Sequence, residues 1–535
     1  MLSTSEPLLR LLSRACPFKA IAESLEKRLS SELNSAAAFV SPRLYSRFTV
    51  SMIVYPLFGE ILAIRFSGEL LPFFLGALAI LQVLPILAPY LMLVARAKQT
   101  EFELPFFIMG LSVFSHESYP TVRDGFSRVS SIGQGLFRAF QKEASILERN
   151  LTFLQGSADQ IVEMTFSSSP SEKLREFIHG FTSTLSLGKD VANFVESEAL
   201  RHVSILEDSW RGFAGSLASI AEFSFLLLAL FPVGLQMIAA TLPSVSADNV
   251  LVLSYALLVA LSVVLLVVID ATSPKVSNAM PSVVYPAIIV IAAFTSMLLY
   301  YLHFFSAWES VLVPLVISAI ASARTMRLHR SVGKGDKEVA LFVHDLAEET
   351  KVGVSLPEAL SRIASKYTTR SPIHDCLLAF YQSLRLGKTP TQAADNISHP
   401  SWLVKVAFGL ISLAFVTGAG FEQLERLSLL LKRVTDAKVA ASRSLIPFIG
   451  MGLAVPAISV FSLTFLTSLT QVGSILGPLA SSDASGRYTS LSIILGSLLT
   501  GILLSKLMTS SVRNMVAVPL VLTATLVSFL IGGVG

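Results

Sequence analysis

Charge is scarce in this sequence. Only 15% of its 535 residues are charged, whereas soluble proteins carry roughly 25%. Hydrophobic residues reach 53%, and the mean hydropathy is +0.66. The composition therefore argues against a soluble enzyme, and the alternation of long apolar runs with two stretches of ordinary composition predicts a polytopic membrane protein with soluble parts.

Cysteine is scarcer still, and the net charge is small. The two cysteines, Cys16 and Cys376, are too few for a disulfide framework or a four-thiolate zinc site, so we expect free structural thiols. A net charge of +4 gives no reason to expect a nucleic-acid partner.

Motifs of catalysis and cofactor binding are also lacking. Gly387-Lys388-Thr389 resembles the end of a phosphate-binding loop, but Gln382 replaces the required earlier glycine and no β-strand precedes it. The eight histidines are scattered, and none is paired four residues from another around a glutamate. The sequence therefore predicts no enzyme, no catalytic residue, no cofactor and no metal site.

The apolar runs predict an all-α fold with about nine transmembrane helices, since about 20 apolar residues cross the hydrocarbon of a bilayer. The predicted spans are Thr49–Phe66, Leu70–Ala95, Ala218–Leu242, Val250–Asp270, Val283–Phe304, Val311–Ala323, Leu445–Thr470, Tyr488–Leu507 and Met515–Gly533.

Basic residues predict the orientation of these spans. With the N-terminus in the cytoplasm, only Arg65 and Arg487 of the 41 basic residues fall outside. We therefore expect a multi-pass protein of the cell membrane, with the N-terminus inside and the C-terminus outside.

The predicted organisation has six parts. Residues 1–48 form a cytoplasmic or interfacial N-terminal segment, whose stretch Phe18–Val40 reads as an amphipathic helix lying on the membrane or on the following domain. Two helical cytoplasmic domains lie between groups of spans. The remaining parts are spans 1 and 2 (49–95), cytoplasmic domain 1 (96–217), spans 3 to 6 (218–323), cytoplasmic domain 2 (324–444) and spans 7 to 9 (445–535).

The two cytoplasmic domains resemble each other. The segment from Glu103 to Phe107 matches the segment from Glu338 to Phe342 at an offset of 235 residues, and a similar offset superimposes pairs of spans. Leu185–Lys189 also matches Leu384–Lys388, where each glycine suits a left-handed helix C-cap, although this offset is only 199. We therefore predict one module, made of two spans, a helical domain and two more spans, that is used twice.

These features together resemble a known family, the type II secretion system F-domain proteins, in the duplicated form of the archaeal type IV pilus and archaellum platform. The resemblance rests on the helix opening at Glu103, on the two Leu-Gly-Lys helix ends, and on Gly418-Ala419-Gly420 between the helices of Leu410–Lys432. It extends from about residue 40 to the end of the chain.

The resemblance implies a non-enzymatic function. A platform protein of this family would dock a hexameric cytoplasmic secretion ATPase and couple its motion to the insertion of pilin subunits into a filament. It also implies membrane lipids as partners and a homo-oligomer, namely a dimer. Whether the filament is an adhesive pilus, a DNA-exchange pilus or an archaellum stays open.

Candidate partner-binding residues directly follow the sixth predicted span. They form a basic run composed of Arg324, Arg327, Arg330, Lys334 and Lys337. The run suits an anchor to anionic lipid headgroups. It also suits a docking surface for an acidic face of the ATPase, because the second domain carries 17 basic and 11 acidic residues against 12 and 15 in the first.

Glu60 lies inside the first predicted span, where a charge is costly and often functional. We interpret it as a structural hydrogen-bonding group. A membrane transporter is the alternative function, which would require several such groups to converge at the middle of the membrane. A signalling scaffold is a third possibility, but no sensing or catalytic module is recognisable.

Overall fold

The structure is a computed structural model that describes residues 22–26, 42–65, 71–115, 126, 129, 136–155, 157–241, 247–274, 276, 278, 284–367, 371–418, 420–473, 483–509, 511 and 513–532. Within these ranges it gives the backbone alone for 56–65, 71–88, 91, 115, 159, 226, 227, 229–233, 235–241, 247–256, 463, 466–473 and 483–489. Of the N-terminal segment 1–48, the description covers two helical pieces, at 22–26 and from Pro42 onward.

The described residues form helices and turns, and no strand occurs among them, which confirms the all-α prediction. In chain order the helices are α1 Pro42–Arg65, α2 Leu71–Ser115, α3 Arg138–Phe153, α4 Ala158–Ser167, α5 Glu172–Ser186, α6 Val191–Thr241, α7 Ala247–Thr272, α8 Val284–Tyr301, α9 Ala307–Lys351, α10 Leu356–Lys366, α11 His374–Arg385, α12 Pro390–Asp395, α13 Trp402–Thr417, α14 Phe421–Ser444, α15 Ile446–Gly473, α16 Asp483–Thr509 and α17 Val518–Gly532.

Four segments of the described chain are long and apolar enough to cross a membrane. They are Val284–Tyr301, Ala307–Lys351, Phe421–Ser462 and Ser490–Thr509. Three shorter apolar helical segments accompany them: Leu257–Thr272, Trp402–Thr417 and Val518–Gly532. The expected membrane location agrees with these helices, while the number of nine spans and their orientation stay predictions.

Burial separates the apolar helices into central and peripheral ones. The apolar window of α16 is 89% buried inside the protein, whereas those of α8 and α9 are only 28% buried. Helix α16 packs against α7, α15 and α17, so it lies at the centre of the apolar bundle. Helices α8 and α9 leave most of their apolar surface available to lipid.

The long helices contradict one detail of the sequence interpretation. Separate helices were expected for the second span and for the segment that opens at Glu103, but α2 runs unbroken for 45 residues. In the same way the predicted sixth span and the start of the predicted second domain lie in one helix of 45 residues, α9. Between Arg96 and Glu103 the chain has no proline or glycine, and most of its residues are good helix formers, so nothing ends the helix there.

The two helical stretches share one hydrophobic core. A single cluster of buried side chains contains Phe107 and Phe140 of the first stretch together with Phe342 and Phe408 of the second. Each pair of rings is stacked, with 3.9 Å between centroids in the first and 5.3 Å in the second. The two stretches are therefore packed against each other.

Trp402, the first residue of α13, lies at the junction of the two stretches. Its ring is 3% exposed and lies 5.1 Å from the ring centroids of both Phe102 and Phe106 in α2. The indole Nε1–H donates to the carbonyl oxygen of Leu136, 2.7 Å away. This hydrogen bond and the aromatic packing attach the second half to the first.

Helix boundaries repeat along the chain. Helices α3, α4, α5 and α6 begin at residues 138, 158, 172 and 191, and α11, α12, α13 and α14 begin at 374, 390, 402 and 421. The four differences are 236, 232, 230 and 230 residues. All of them are close to the offset expected from the segments at Glu103 and Glu338.

This register corrects the second sequence match, in which Gly188 was aligned with Gly387. Both glycines do end helices in the left-handed conformation, with φ of 61° and 80°. However, Gly188 lies between α5 and α6, and the turn between the matching helices α13 and α14 contains Gly418, with φ of 66°. The match at an offset of 199 therefore aligned two turns that have a similar conformation but different places in the order of the helices.

Candidate functional site

The five candidate basic residues all lie on α9 and are all exposed. Their spacings of three, three, four and three residues place them on one side of the helix, because an α-helix has 3.6 residues per turn. No ion pair involving any of them occurs within the described parts of the chain. We call Arg324, Arg327, Arg330, Lys334 and Lys337 the basic stripe.

The opposite face of α9 is buried against α14. Val332, Val339, Phe342 and Val343 belong to this face, and the last three are fully buried. Since the apolar residues hold one side of α9 against the bundle, the basic stripe is held outward.

A buried ion pair fixes α9 at the level of the stripe. The carboxylate of Asp336 is 2% exposed and accepts from the Nζ of Lys438 in α14, 2.6 Å away. Its other oxygen accepts a hydrogen bond from the hydroxyl of Ser401. The hydroxyl of Thr435 donates to the backbone carbonyl of Asp336 at 3.3 Å. A buried carboxylate needs such partners, so these bonds hold α9 to α14 and to the start of α13.

His399 fills the space beside Gly335. A Cβ atom at Gly335 would lie 2.5 Å from Cε1 of His399, so only glycine fits there without rearrangement. The Nδ1 of His399 accepts the backbone N–H of Ser401 at 3.0 Å. Burial lowers the pKa of His399, against the attraction of Asp336 and together with the repulsion of Lys405, so the imidazole is neutral at pH 7.

Glu103 and Glu338, which the sequence matched, have related positions. Glu103 accepts the backbone N–H of Ala139 at the start of α3, 3.0 Å away. Glu338 accepts the hydroxyl of Ser371, just before α11, at 2.5 Å. Each glutamate thus connects its long helix to the beginning of the matching helix that follows.

A cavity of about 70 Å³, lined by both polar and apolar side chains, lies where α2, α5, α6 and α7 meet. Its lining includes Lys98, Lys173, His202, Ser209 and Thr272. Burial, with the nearby charges of Arg201 and Lys173, lowers the pKa of His202 to about 4, so this histidine is neutral at pH 7. At roughly 30 Å³ per water molecule, the cavity has the size of a small hydration site.

Other residues singled out in the sequence have structural positions. Lys388 follows the glycine turn after α11 and is exposed, while Thr389 caps α12 by accepting the backbone N–H of Gln392 at 3.3 Å. Cys376 is a buried free thiol whose pKa burial raises to about 11. The side chains of Glu60 and Cys16 lie outside the described residues.

The sequence pointed to the basic stripe but not to the ion pair of Asp336 with Lys438 on the opposite side of α9. Asp336 stands next to Lys337 in a charged segment, so nothing in the pattern marks it as buried. The i, i+3 and i+4 spacing of Val332, Asp336 and Val339 was the available signal, since it places the aspartate on the apolar face of α9.

Comparison with known proteins adds no relative to these observations. No family model matches the chain, and neither a curated protein nor a solved structure matches it.

Proposed function

We propose that this protein is the membrane platform of a type IV pilus-like filament machine. Its spans, about nine in number, hold the two helical stretches on the cytoplasmic side, with the N-terminus inside and the C-terminus outside. There it docks a hexameric secretion ATPase and couples the motion of that ATPase to the insertion of pilin subunits. The platform transmits motion and carries out no chemistry of its own.

The observation that carries this proposal is the basic stripe on a helix that enters the membrane. Helix α9 has 45 residues, which corresponds to about 68 Å at 1.5 Å per residue. Its first part is apolar and faces outward, and its later part bears the stripe. A partner bound to the stripe can therefore move a continuous helix that extends into the bilayer.

The length of the stripe favours a protein partner over lipid headgroups. Arg324 and Lys337 are 13 residues apart, so they are separated by about 20 Å along α9. The headgroup layer on one side of a bilayer is only about 5–7 Å thick. Anionic lipids can contact the first arginines, whereas Lys334 and Lys337 lie about 15–20 Å further along α9.

Comparison of α9 with its matching helix α2 also favours a protein partner over lipid headgroups. At the offset of 235 residues that matches Glu103 with Glu338, the positions of α2 that correspond to the stripe carry Pro89, Met92, Ala95, Gln99 and Phe102. If the fold required a basic anchor to lipid headgroups at this place, both halves would carry one. The stripe instead belongs to one half, as expected for a surface that binds a partner on one side of the platform.

A binding experiment tests the docking surface. The full-length protein is purified in detergent and mixed with the hexameric secretion ATPase of the same host. We expect Lys334→Glu/Lys337→Glu to lose binding at moderate salt. Arg385→Glu/Lys388→Glu is the matched control, because these two exposed residues have the same three-residue spacing in the same domain and lie outside the stripe. Equal binding by both variants would refute the docking surface.

A further inference from the structure

The two halves meet at matching positions of matching helices. Helices α6 and α14 begin at Val191 and Phe421, so Glu196 and Arg426 are the sixth residue of each. Asp270 of α7 and Lys506 of α16 are 236 residues apart, which is the offset between the starts of α3 and α11.

Each of these matching pairs is an ion pair. The guanidinium of Arg426 contacts the carboxylate of Glu196. The ammonium of Lys506 lies 2.8 Å from Oδ1 of Asp270, and its side chain is only 5% exposed. In both pairs the first half supplies the acid and the second half supplies the base.

Apolar residues continue the match along α6 and α14. Leu200 and Leu430 are the tenth residue of their helices, and both line one small cavity together with Glu196 and Arg426. Further along both helices, Arg433 lies 4.0 Å from Glu207. Residues later in α6 contact residues later in α14, so the two helices run parallel.

A parallel contact between equivalent positions is the geometry of a two-fold dimer. In a symmetric dimer the residues on the axis face their own copies, so a glutamate there would face a glutamate. Like charges in such positions repel, whereas opposite charges select the partner. With the charges found here, each half attracts the other half and would repel a second copy of itself.

We propose that the two halves of one chain bind each other, through the contacts of α6 with α14 and of α7 with α16, in the way that two subunits of a dimer would. The complementary charges at matching positions make the two halves bind each other, and a second copy of the chain is excluded from this surface. This inference goes beyond the platform function and does not depend on it. A homodimer of the kind suggested by the family resemblance would have to use another surface.

Cross-linking of the full-length protein in membranes tests the inference. Cys16 and Cys376 are first replaced by alanine, and Glu196→Cys/Arg426→Cys is treated with a short bifunctional thiol reagent. We expect both thiols to be consumed while the protein keeps the mass of a single chain. The control Arg201→Cys/Arg426→Cys should not react in this way, because Arg201 lies on another side of α6 and contacts Glu176 and Glu198.

The decisive arm uses two differently tagged copies made in the same cells. One copy carries Glu196→Cys and the other carries Arg426→Cys. We expect no covalent product that contains both tags. A doubly tagged product, or failure of the single-chain reaction with Glu196→Cys/Arg426→Cys, would overturn the inference, and neither result would bear on filament assembly.

Charge exchange tests the selection between halves. Arg426→Glu places two glutamates at matching positions, so we expect a lower Tm for the detergent-solubilised protein. Glu196→Arg/Arg426→Glu restores opposite charges and should recover at least half of the lost Tm. A double variant no more stable than Arg426→Glu would show that the charges do not select the pairing.

Discussion

The Nζ of Lys438 lies 2.6 Å from the carboxylate of Asp336, on the side of α9 that faces away from the basic stripe. Asp336 stands between Lys334 and Lys337 in the sequence, so the buried pair and the exposed stripe occupy the same two turns of the helix. The pair joins α9 to α14, and a force applied to the stripe is therefore passed to the bundle at this level.

The first prediction concerns this ion pair. Lys438→Met should lower the free energy of unfolding by about 3–5 kcal/mol, because it leaves a buried carboxylate without its cation. Lys432→Met on the same helix should change stability by less than about 0.5 kcal/mol, since Lys432 is exposed. Thermal unfolding in detergent measures both. Addition of Asp336→Asn to Lys438→Met should recover most of the loss, and a double variant as unstable as the single one would contradict the assigned role.

The second prediction uses two glycines of α9. Gly335→Ala should destabilise the protein by about 1–3 kcal/mol, because the new Cβ would collide with the ring of His399. Gly333→Ala has open space around it and should stabilise the helix by about 0.5–1 kcal/mol. The two Tm values should therefore move in opposite directions, and a shift in the same direction would show that His399 does not pack as described.

The third prediction concerns the junction between the halves. Trp402→Phe keeps an aromatic ring against Phe102 and Phe106 but removes the donor to the carbonyl of Leu136, at a cost of about 1–3 kcal/mol. Trp402→Ala should cost about 3–5 kcal/mol. Hydrogen exchange should become faster in α3 and in α13. Faster exchange confined to the second half would mean that Trp402 does not join the two stretches.

The fourth prediction concerns pH. Burial raises the pKa of Glu103 from 4.5 to about 7, although the backbone N–H of Ala139 and the amide of Gln99 favour the ionised form. Between these two values the folded protein holds a proton that the unfolded chain has released. The stability contributed by this group is therefore complete below pH 4.5 and is lost as the pH rises through about 7.

The variant Glu103→Gln isolates this effect. A glutamine is always neutral, and its amide oxygen still accepts the N–H of Ala139. The Tm of the variant relative to the native protein should therefore increase as the pH is raised from about 5 to about 8. A constant difference across this range would contradict the raised pKa.

The sequence was sufficient for the class of the fold and for locating the basic run. Composition predicted apolar helices, and the run that contains Arg324, Arg327 and Arg330 was visible directly after an apolar segment, because both signals are local. The glycines Gly188, Gly353 and Gly387 adopt positive φ, as expected for residues that end helices.

The buried polar contacts were beyond sequence reasoning. The partners Asp336 and Lys438 are 102 residues apart, and Asp270 and Lys506 are 236 apart, so no local pattern connects them. The wrong alignment of Gly188 with Gly387 had a related cause. Helix-ending glycines share a local conformation wherever they occur, and only the order of whole helices shows which turns correspond.

The most direct test of the platform function is a count of filaments by electron microscopy. Cells that lack the gene are complemented with the native protein, with Lys334→Glu/Lys337→Glu or with Arg385→Glu/Lys388→Glu, while pilin is still made and processed. We expect filaments with the native protein and the control variant, and none in the uncomplemented cells or with the stripe variant. A normal number of filaments in the uncomplemented cells would contradict the proposed function, and a normal number with the stripe variant would contradict its docking surface.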